Sequence, residues 1–392
     1  MKAKFWLLYI VCLFLVTEAS LQFFYRFTTG TYLYVRDKPP LYASDPYSGW
    51  TNQPFLAYRH VTPEFSTEIY TNGEGFRVSS AQEEYQKKRP SNTFRILLLG
   101  PSFAFGWGVN FEDSFGAHLQ RLLAVQNFAN GSRIEVLNHG VPGLPAANEL
   151  EWLKQVGKDY RPDLVVHFTY GSFEVIPKPE TNVAVHNGLV VQSNAGIKEL
   201  VWGYAKNAAS VFYTGIVINR VSKAVSKDIS AMRIEGAGRE MRNSPTFSIQ
   251  DPLISDSVIF YRTLRETVEA AGAKLLIVYF PLAYVVHPED RMRWVLQGVQ
   301  NIEEQIQFNR TFASFLNENG FRCLNVTEQF VQRAKTEKQR LYYWLDVHWT
   351  ASGNVLAAQL VADYLQCDKS RKYDTQSNCL SLSSRNSGTE EM

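Results

Sequence analysis

Residues that together could transfer an acyl group occur in two short segments near opposite ends of the chain. Ser102 lies just after the apolar run 96–99, in GPSF (100–103), and Asp346 and His348 lie two positions apart in DVHW (346–349). A serine nucleophile, an imidazole base and a carboxylate that orients the base form a catalytic triad. Taken singly, Ser102 could cap a helix and His348 could be a structural side chain. Their joint presence favours catalysis.

The composition is that of a globular protein that does not bind nucleic acid. Of the 392 residues, 45% are hydrophobic and 20% are charged, which is enough apolar material for a sizeable core and does not indicate disorder. The net charge is +2, and the chain has no Lys/Arg block long enough to neutralise a phosphate track. We therefore expect no nucleic-acid partner.

The N-terminus, residues 1–28, has the pattern of a membrane segment. Lys2 and Lys4 precede an apolar stretch at 5–16, and apolar residues resume after Glu18 through residue 25. Together they reach the ~20 residues that a membrane-spanning helix needs. TEA (17–19) roughly fits a signal-peptidase site, so a cleaved signal peptide is the alternative. We favour a retained anchor, and either way we expect the rest of the chain to be exported.

The rest of the chain divides into three parts by composition. Residues 29–92 are rich in Pro, Gly, Tyr and Asn, which predicts loops and short strands packed on the main domain. Residues 93–368 form the main domain, with an insertion at about 177–250. A helix is expected at 198–227 in this insertion; it could pack on the domain, act as a lid or face the membrane. The tail at 369–392 is expected to be disordered.

The cysteines allow at most one disulfide in the exported body. Cys12 lies in the apolar N-terminal segment, which leaves Cys323, Cys367 and Cys379. A bridge from Cys367 to Cys379 would fix the tail, and the alternative is a buried Cys323 with unpaired tail thiols. The sequence has no Cys/His cluster typical of a metal site.

From residue 93 onwards, strands alternate with helices. Strands are predicted at 94–100, 133–138, 163–170, 274–280 and 321–326. Helices are predicted at 112–126, 146–160, 255–271, 294–319 and 352–365. This alternation is typical of a five-stranded, mostly parallel sheet covered by helices on both faces.

The predicted strands place three turns at one edge of this sheet. Ser102 follows the first strand, Gly140 and Gly143 follow the second, and GSFE (171–174) follows the third. Open α/β sheets bind ligands outside the carboxyl ends of their strands. Glycines in these turns allow backbone N–H groups to approach a ligand closely, as an oxyanion hole requires.

With these motifs in this order, the chain resembles the SGNH/GDSL hydrolase family. GPSFAFG (100–106) is similar to the family's first block, NHGVPG (138–143) to its second, and DVHW (346–349) to its last. The Asp-x-His-Trp form is similar to the membrane-anchored branch that includes alginate O-acetyltransferases, and DPYSGW (45–50) and TNGEGFR (71–77) resemble its leader segments. The resemblance implies a flavodoxin-like three-layer α/β/α sandwich.

The resemblance also implies roles for individual residues. Ser102 would be the nucleophile, His348 the base and Asp346 the acid that orients it. The N–H groups of Ser102 and Gly143 would form the oxyanion hole. The mechanism implied needs no metal and no organic cofactor.

Two positions depart from the family pattern. Pro101 replaces the Asp that precedes the nucleophile, although its fixed φ could shape the turn instead. Phe173 stands where the third block has an Asn that donates to the oxyanion, and loss of one such donor costs ~10²–10³ in rate. Gly140, Phe173 and His287 are candidates for the rim of the site.

Two further histidines, His139 and His167, could compete with His348 for the role of base. His139 lies in the turn that resembles the second block, and His167 lies in the middle of a predicted strand. A histidine inside a strand is more often a core residue with its hydrogen bonds satisfied, so His348 remains our candidate.

The sequence therefore predicts a membrane-anchored serine ester hydrolase, with its catalytic domain in the periplasm or at the cell surface, acting on a small acyl ester such as O-acetyl. Its substrate would be an acylated small molecule, glycan or lipid. The alternatives are an O-acyltransferase that modifies an envelope or exported glycan and a catalytically weak relative that binds glycans.

Overall fold

The computed structural model describes residues 2–29, 39–62, 64–170, 179, 182–186, 188–192, 252–291, 294, 302–336 and 339–370. Most of the insertion at 177–250, including the helix expected at 198–227, lies outside these residues. So do Phe173, Cys379 and the tail after residue 370. Cys12 and Cys323 are free thiols, and Cys323 is buried.

The N-terminal segment is a single long helix, α1 (Lys2–Thr29). Its stretch Lys4–Phe24 has a mean hydropathy of 1.9 and is the one helix in the described part of the chain long and apolar enough to cross a membrane. Two polar side chains of this helix, Glu18 and Gln22, lie one turn apart and are paired. Gln22 Nε2 donates a hydrogen bond of 2.6 Å to Glu18 Oε1. Such pairing lowers the cost of placing a carboxyl in an apolar helix.

The described residues form twelve strands. In chain order they are β1 (Tyr42–Asp45), β2 (Gly49–Asn52), β3 (Ala57–Val61), β4 (Ser66–Thr71), β5 (Arg77–Val78), β6 (Thr93–Gly100), β7 (Arg133–Gly140), β8 (Leu164–Thr169), β9 (Val183–His186), β10 (Leu189–Gln192), β11 (Lys274–Tyr279) and β12 (Cys323–Asn325).

The main sheet has the order β12-β11-β8-β6-β7-β5-β4-β3. Its five strands from β12 to β7 are all parallel to their neighbours. Taken by themselves in chain order, these five strands have the spatial order 2-1-3-4-5, the flavodoxin-like arrangement. The sequence prediction of the fold is confirmed.

The prediction of only five strands was incomplete, because β5, β4 and β3 extend the sheet beyond β7 as antiparallel strands. β5 joins β7 through the pair Arg77 and Asn138. β4 alternates exposed and buried residues, the mark of a strand with one face on the core. The sequence predicted short strands in this region, but it did not give their bounds or show that they join the main sheet.

Helices in the described residues flank the sheet. They are α2 (Ser102–Phe105), α3 (Phe115–Val125), α4 (Ala146–Gln155), α5 (Pro252–Ala270), α6 (Ala283–Val286), α7 (Ile302–Glu318), α8 (Thr327–Thr336) and α9 (Ala351–Ser370).

Alternate residues of β6 point to two separate cores. Ile96 and Leu98 pack in the cluster that contains α3 and α9. Leu97 and Leu99 pack in the cluster that contains α4, α5 and α7. A strand buried on both faces reads as a continuous apolar run, as β6 does. The result is a three-layer α/β/α sandwich.

Candidate active site

The site is built where β6 and β7 end side by side. Gly100 and Gly140, the last residues of these strands, are paired, and the Val141 N–H donates to the Gly100 carbonyl at 3.0 Å. The turns that follow carry Ser102 and Gly143 respectively. Two neighbouring parallel strands thus end at the same edge with the predicted nucleophile and oxyanion donor.

Ser102 is the first residue of the short helix α2. Pro101 precedes it with φ −75° and no side-chain cap, so the ring constrains the turn where the family pattern has an Asp. Gly106 ends the helix with φ 82° and donates its N–H to the carbonyls of Ser102 and Phe103. Because Ser102 begins this one-turn helix two residues after β6 ends, it lies at the carboxyl edge of the sheet.

Ser102, His348 and Asp346 form one hydrogen-bonded chain. His348 Nε2 lies 2.5 Å from Ser102 Oγ, although the residues are 246 positions apart. On the other side of the ring, His348 Nδ1 hydrogen-bonds Asp346 Oδ1, which also accepts the His348 backbone N–H at 3.0 Å. The side chains of His348 and Asp346 are 14% and 27% exposed, so solvent reaches the site.

The environment of Asp346 favours its charged form. Burial alone raises the pKa of this carboxyl, but the hydrogen bond and charge of His348, together with bonds from the His348 N–H and the Trp107 side chain, outweigh it and lower the pKa below its usual value. A carboxylate that holds Nδ1–H leaves Nε2 free to accept a proton from Ser102. Two aromatic rings contact the imidazole, Phe103 at 4.9 Å and Trp107 at 5.8 Å between centroids.

In the turn that follows β7, Gly143 is exposed and the residues on either side of it are buried. Gly143 has φ 73°, and a Cβ there would meet no atom within 4 Å. Tyr42 donates its hydroxyl to the Pro142 carbonyl at 2.8 Å, and Trp50 packs with Val141 and Leu144 against the β9–β10 hairpin. Among the described residues, no acceptor pairs with the N–H of Ser102 or Gly143.

Gly140 is buried and lies beneath the site, not at the rim where the sequence placed it. A Cβ on Gly140 would come within 2.2 Å of the Phe105 backbone nitrogen, so only glycine allows α2 to pack this closely on β7. Asn138 fixes the same contact, since its Nδ2 donates to the Ala104 carbonyl at 2.8 Å and its Oδ1 accepts the Gly140 N–H at 2.9 Å.

His287 is also buried, with 5% exposed surface, and so does not line the predicted rim. Its Nδ1 lies 3.1 Å from Glu289 Oε1. Burial, with the nearby charge of Arg340, lowers the pKa of its imidazole. Phe173, the other rim candidate, lies outside the described residues.

The two rival histidines are core residues. His139 stacks on Trp152 with 3.4 Å between ring centroids, and burial lowers its pKa to about 3. His167 Nε2 lies 3.3 Å from Glu149 Oε2, and both side chains are almost fully buried. Burial raises the pKa of Glu149, while the neighbouring His167 ring opposes the rise. His348 is therefore the histidine that contacts Ser102.

Sequence reasoning missed Glu64, which lies between β3 and β4. Its carboxylate accepts the backbone N–H groups of Trp344, Leu345 and Asp346, at 2.6, 2.7 and 2.8 Å. Burial raises the pKa of Glu64, the three N–H groups oppose that rise and the charge of Asp346 adds to it. A lone Glu in a polar turn carries no sequence signal for such a role.

Among the described residues, no group of three or more His, Cys, Asp or Glu side chains could hold a metal ion.

Residues 243–382 match the family model described as ALGX: SGNH hydrolase-like domain, acetyltransferase AlgX. The match includes Asp346 and His348, does not reach Ser102, and covers about a third of the chain. This part of the chain is therefore similar to an SGNH hydrolase-like domain, and the fold and the hydrogen-bonded Ser, His and Asp agree with that similarity. The sequence resemblance to SGNH hydrolases and to the AlgX-type acetyltransferases is confirmed at this level. No curated protein matches the chain.

Several solved structures resemble the chain at low identity. The acetyl xylan esterase AlAXEase is 11% identical, with 68% of this chain and 96% of that chain covered and a TM-score of 0.36. The lipase/acylhydrolase from Enterococcus faecalis is 12% identical, with 70% and 96% covered and a TM-score of 0.36. A catalytic mutant of Axe2, an acetylxylan esterase from Geobacillus stearothermophilus, is 16% identical, with 68% and 91% covered and a TM-score of 0.34.

Proposed function

We propose that this protein cleaves a small O-acyl ester, such as an O-acetyl group, through an acyl-enzyme on Ser102. The observation that carries the proposal is the hydrogen-bonded chain from Ser102 Oγ through His348 to Asp346. A nucleophile within hydrogen-bond reach of a base, with the base oriented by a third group, is the geometry of nucleophilic catalysis.

The proposed reaction has two steps, acylation of Ser102 and deacylation. His348 Nε2 takes the Ser102 proton as Oγ attacks the acyl carbon, and the N–H groups of Ser102 and Gly143 hold the oxyanion of the tetrahedral intermediate. The intermediate collapses to the acyl-enzyme, and the leaving alcohol takes the proton from His348. A water molecule, deprotonated by His348, then attacks the acyl carbon and releases the acid and free Ser102.

A second candidate function is transfer of the acyl group to a sugar hydroxyl in place of water. The match to an acetyltransferase AlgX domain favours it. The steps on Ser102 are the same, and only the group that His348 deprotonates in the second step differs. The acceptor would be an envelope or exported glycan.

We also propose that the domain works outside the cytoplasm while attached to the membrane. The support is α1, whose apolar stretch is long enough to span a bilayer. The partners of the protein would then be the membrane and an acylated substrate, glycan or lipid.

Labelling with a fluorophosphonate, which reacts with activated serines, tests the proposed nucleophile. The full chain in detergent should be labelled on the peptide that contains Ser102, and Ser102→Ala should abolish the labelling. If the wild type stays unlabelled while a control serine hydrolase reacts, the proposed activity is wrong and a glycan-binding relative is the remaining interpretation.

Product analysis separates the two candidate functions. The wild-type protein is incubated with an acetyl ester donor, with and without an oligosaccharide acceptor, and the products are followed by mass spectrometry. Acetate release independent of the acceptor supports hydrolysis. Acetylated oligosaccharide, formed at the expense of acetate, supports transfer.

A further inference from the structure

The loop that carries Asp346 and His348 has little regular structure of its own. It is closed at its base by a bridge between Tyr342 and Trp349 and by the Tyr343 N–H bonded to the His348 carbonyl at 3.0 Å. Between these residues, no helix or strand fixes the backbone. Within the loop, Asp346 is tied to His348 by the bond from the His348 N–H at 3.0 Å, and its other contacts come from outside the loop, from Trp107 and Glu64.

The turn between β3 and β4 supplies three contacts to this loop. Glu64 accepts the consecutive N–H groups of residues 344–346, all within 2.8 Å. Hydrogen bonds to an ionised acceptor are about twice as strong as neutral ones. One carboxylate therefore takes up the backbone donors of the segment that ends at Asp346.

Hydrogen bonds within the turn between β3 and β4 fix its backbone and therefore the position of Glu64. Thr62 Oγ1 accepts the Glu64 and Phe65 N–H groups at 3.2 and 3.1 Å. Phe65 is buried and packs on the Tyr343 ring with 5.1 Å between centroids. The contact between turn and loop thus has an apolar part beside its charged part.

The same hairpin also contacts the chain that follows the nucleophile helix. The Glu68 N–H donates to Asn110 Oδ1 at 3.0 Å. Arg77, on the next strand, donates to the carbonyls of Glu68 and Val109 at 2.7 and 3.3 Å. The hairpin therefore lies against both halves of the site, the half with Ser102 and the half with His348.

We propose that Glu64 is a positioning residue for the triad: its carboxylate holds residues 344–346 so that Asp346 meets His348 Nδ1 while His348 Nε2 faces Ser102 Oγ. The inference rests on the proposed function for its kinetic consequence and on geometry alone for its structural one. Glu64 touches no reacting atom, so it acts through Asp346 and His348.

Removal of the carboxylate should misplace the loop without unfolding the domain. A displacement of 1 Å at a catalytic group can cost ~10²-fold in rate. We expect Glu64→Ala to lower kcat for an aryl acetate about 10- to 100-fold, by this estimate, with little change in KM. Glu64→Gln keeps the length and one acceptor oxygen, and it should recover part of the loss.

The matched control is Glu68→Gln, which neutralises an exposed carboxylate on β4 of the same hairpin. In the described part of the chain, the Glu68 carboxylate pairs only with the exposed Arg59, at 3.8 Å, and an exposed pair contributes little to stability. This variant should keep the wild-type kcat. The rate of fluorophosphonate labelling should fall with kcat in Glu64→Ala and stay unchanged in Glu68→Gln.

Thermal unfolding and hydrogen exchange of the full chain in detergent complete the test. We expect the melting temperature of Glu64→Ala to stay close to that of Glu68→Gln, while exchange at the amides of 344–346 becomes faster only in Glu64→Ala. Wild-type kcat in Glu64→Ala, or a loss of activity that merely follows the unfolded fraction, overturns the inference. Unchanged exchange at these amides overturns it whether or not the wild type is active. A wild type that neither hydrolyses the ester nor reacts with the fluorophosphonate contradicts only the proposed function. The structural role of Glu64 is then still tested by the exchange of the amides of 344–346.

Discussion

The proposed oxyanion hole depends on two backbone N–H groups, those of Ser102 and Gly143. Ser102 is the first residue of α2, where the helix itself provides no acceptor for the N–H. Gly143 adopts φ 73°, a conformation that glycine reaches without the steric cost of a Cβ. Phe173 stands where the family pattern has a donating Asn, so the proposal assigns the oxyanion to these two N–H groups.

Gly143→Ala should lower kcat about tenfold, less than the full loss of a donor. A Cβ at positive φ costs ~1–2 kcal/mol, and relief of this strain rotates the N–H that it carries. Gly131→Ala is the matched control, since Gly131 has φ 85° and equally open space around an added Cβ. Ester hydrolysis and chemical unfolding of both variants check the prediction. Equal kcat values would exclude the Gly143 N–H from the oxyanion hole.

Asp346→Asn should lower kcat by about 10³–10⁴, because an amide no longer selects the His348 tautomer that accepts the Ser102 proton. The pKa of Asp346 is below its usual value in the folded protein. Its charge therefore stabilises the fold at pH above the unfolded pKa, and this contribution disappears as the pH falls through the folded pKa.

Chemical unfolding of the wild type and of Asp346→Asn at several pH values checks the effect on stability. The difference in unfolding free energy should be constant at neutral pH and shrink below about pH 4, where the unfolded carboxyl begins to bind its proton. A difference that grows towards low pH would contradict the favourable environment of the carboxylate.

At the scale of elements, the close approach of β7 to α2 places the nucleophile. Gly140 and the amide of Asn138 hold the helix backbone directly on the strand end. The second block of the sequence motif thus supports α2, besides carrying Gly143, the proposed oxyanion donor. This explains why a buried glycine stands at a position that the sequence assigned to the rim.

Gly140→Ala should destabilise the protein by ~1–3 kcal/mol, the usual cost of overpacking, and should also lower kcat because α2 must move. The control is Gly116→Ala, another buried glycine, whose added Cβ would meet side-chain atoms and no backbone: Leu98 Cδ1 at 3.0 Å, Val136 Cγ1 at 3.4 Å and Asn138 Nδ2 at 3.7 Å. Unfolding and ester hydrolysis are measured for both. An unchanged kcat in Gly140→Ala would show that the position of α2 does not depend on this contact.

The elements that the sequence predicted are those with long apolar runs or clear helical periodicity. The five parallel strands and α3, α4, α5, α7 and α9 are of this kind. β3, β4 and β5 are short, and their pairing depends on an edge of β7 that no local pattern encodes. The contacts of Glu64 could not be predicted for the same reason, since its partners lie about 280 positions away along the chain. Local residues define the motifs, whereas long-range pairing positions them.

At the scale of the whole molecule, the N-terminal extension lies between α1 and the main domain in the chain, and it contacts the candidate site. Its hairpin contacts the loop of Asp346, and its first strand contacts the turn of Gly143 through Tyr42. The extension is therefore part of the site as well as a connection. A truncated protein that begins at residue 93 would lack Glu64 and both of these supports.

The N-terminal helix α1 should remain on the mature protein. Intact mass and N-terminal sequencing of the membrane fraction should find the residues before Ser20, and detergent but not high salt should release the protein. Leu13→Arg places a charge in the middle of the apolar stretch, at a cost of ~2.5–3.5 kcal/mol for insertion, and should move part of the protein out of the membrane fraction. Phe27→Arg, beyond that stretch, is the control and should stay with the membrane. A mature chain that starts at Ser20 would instead establish a cleaved signal peptide.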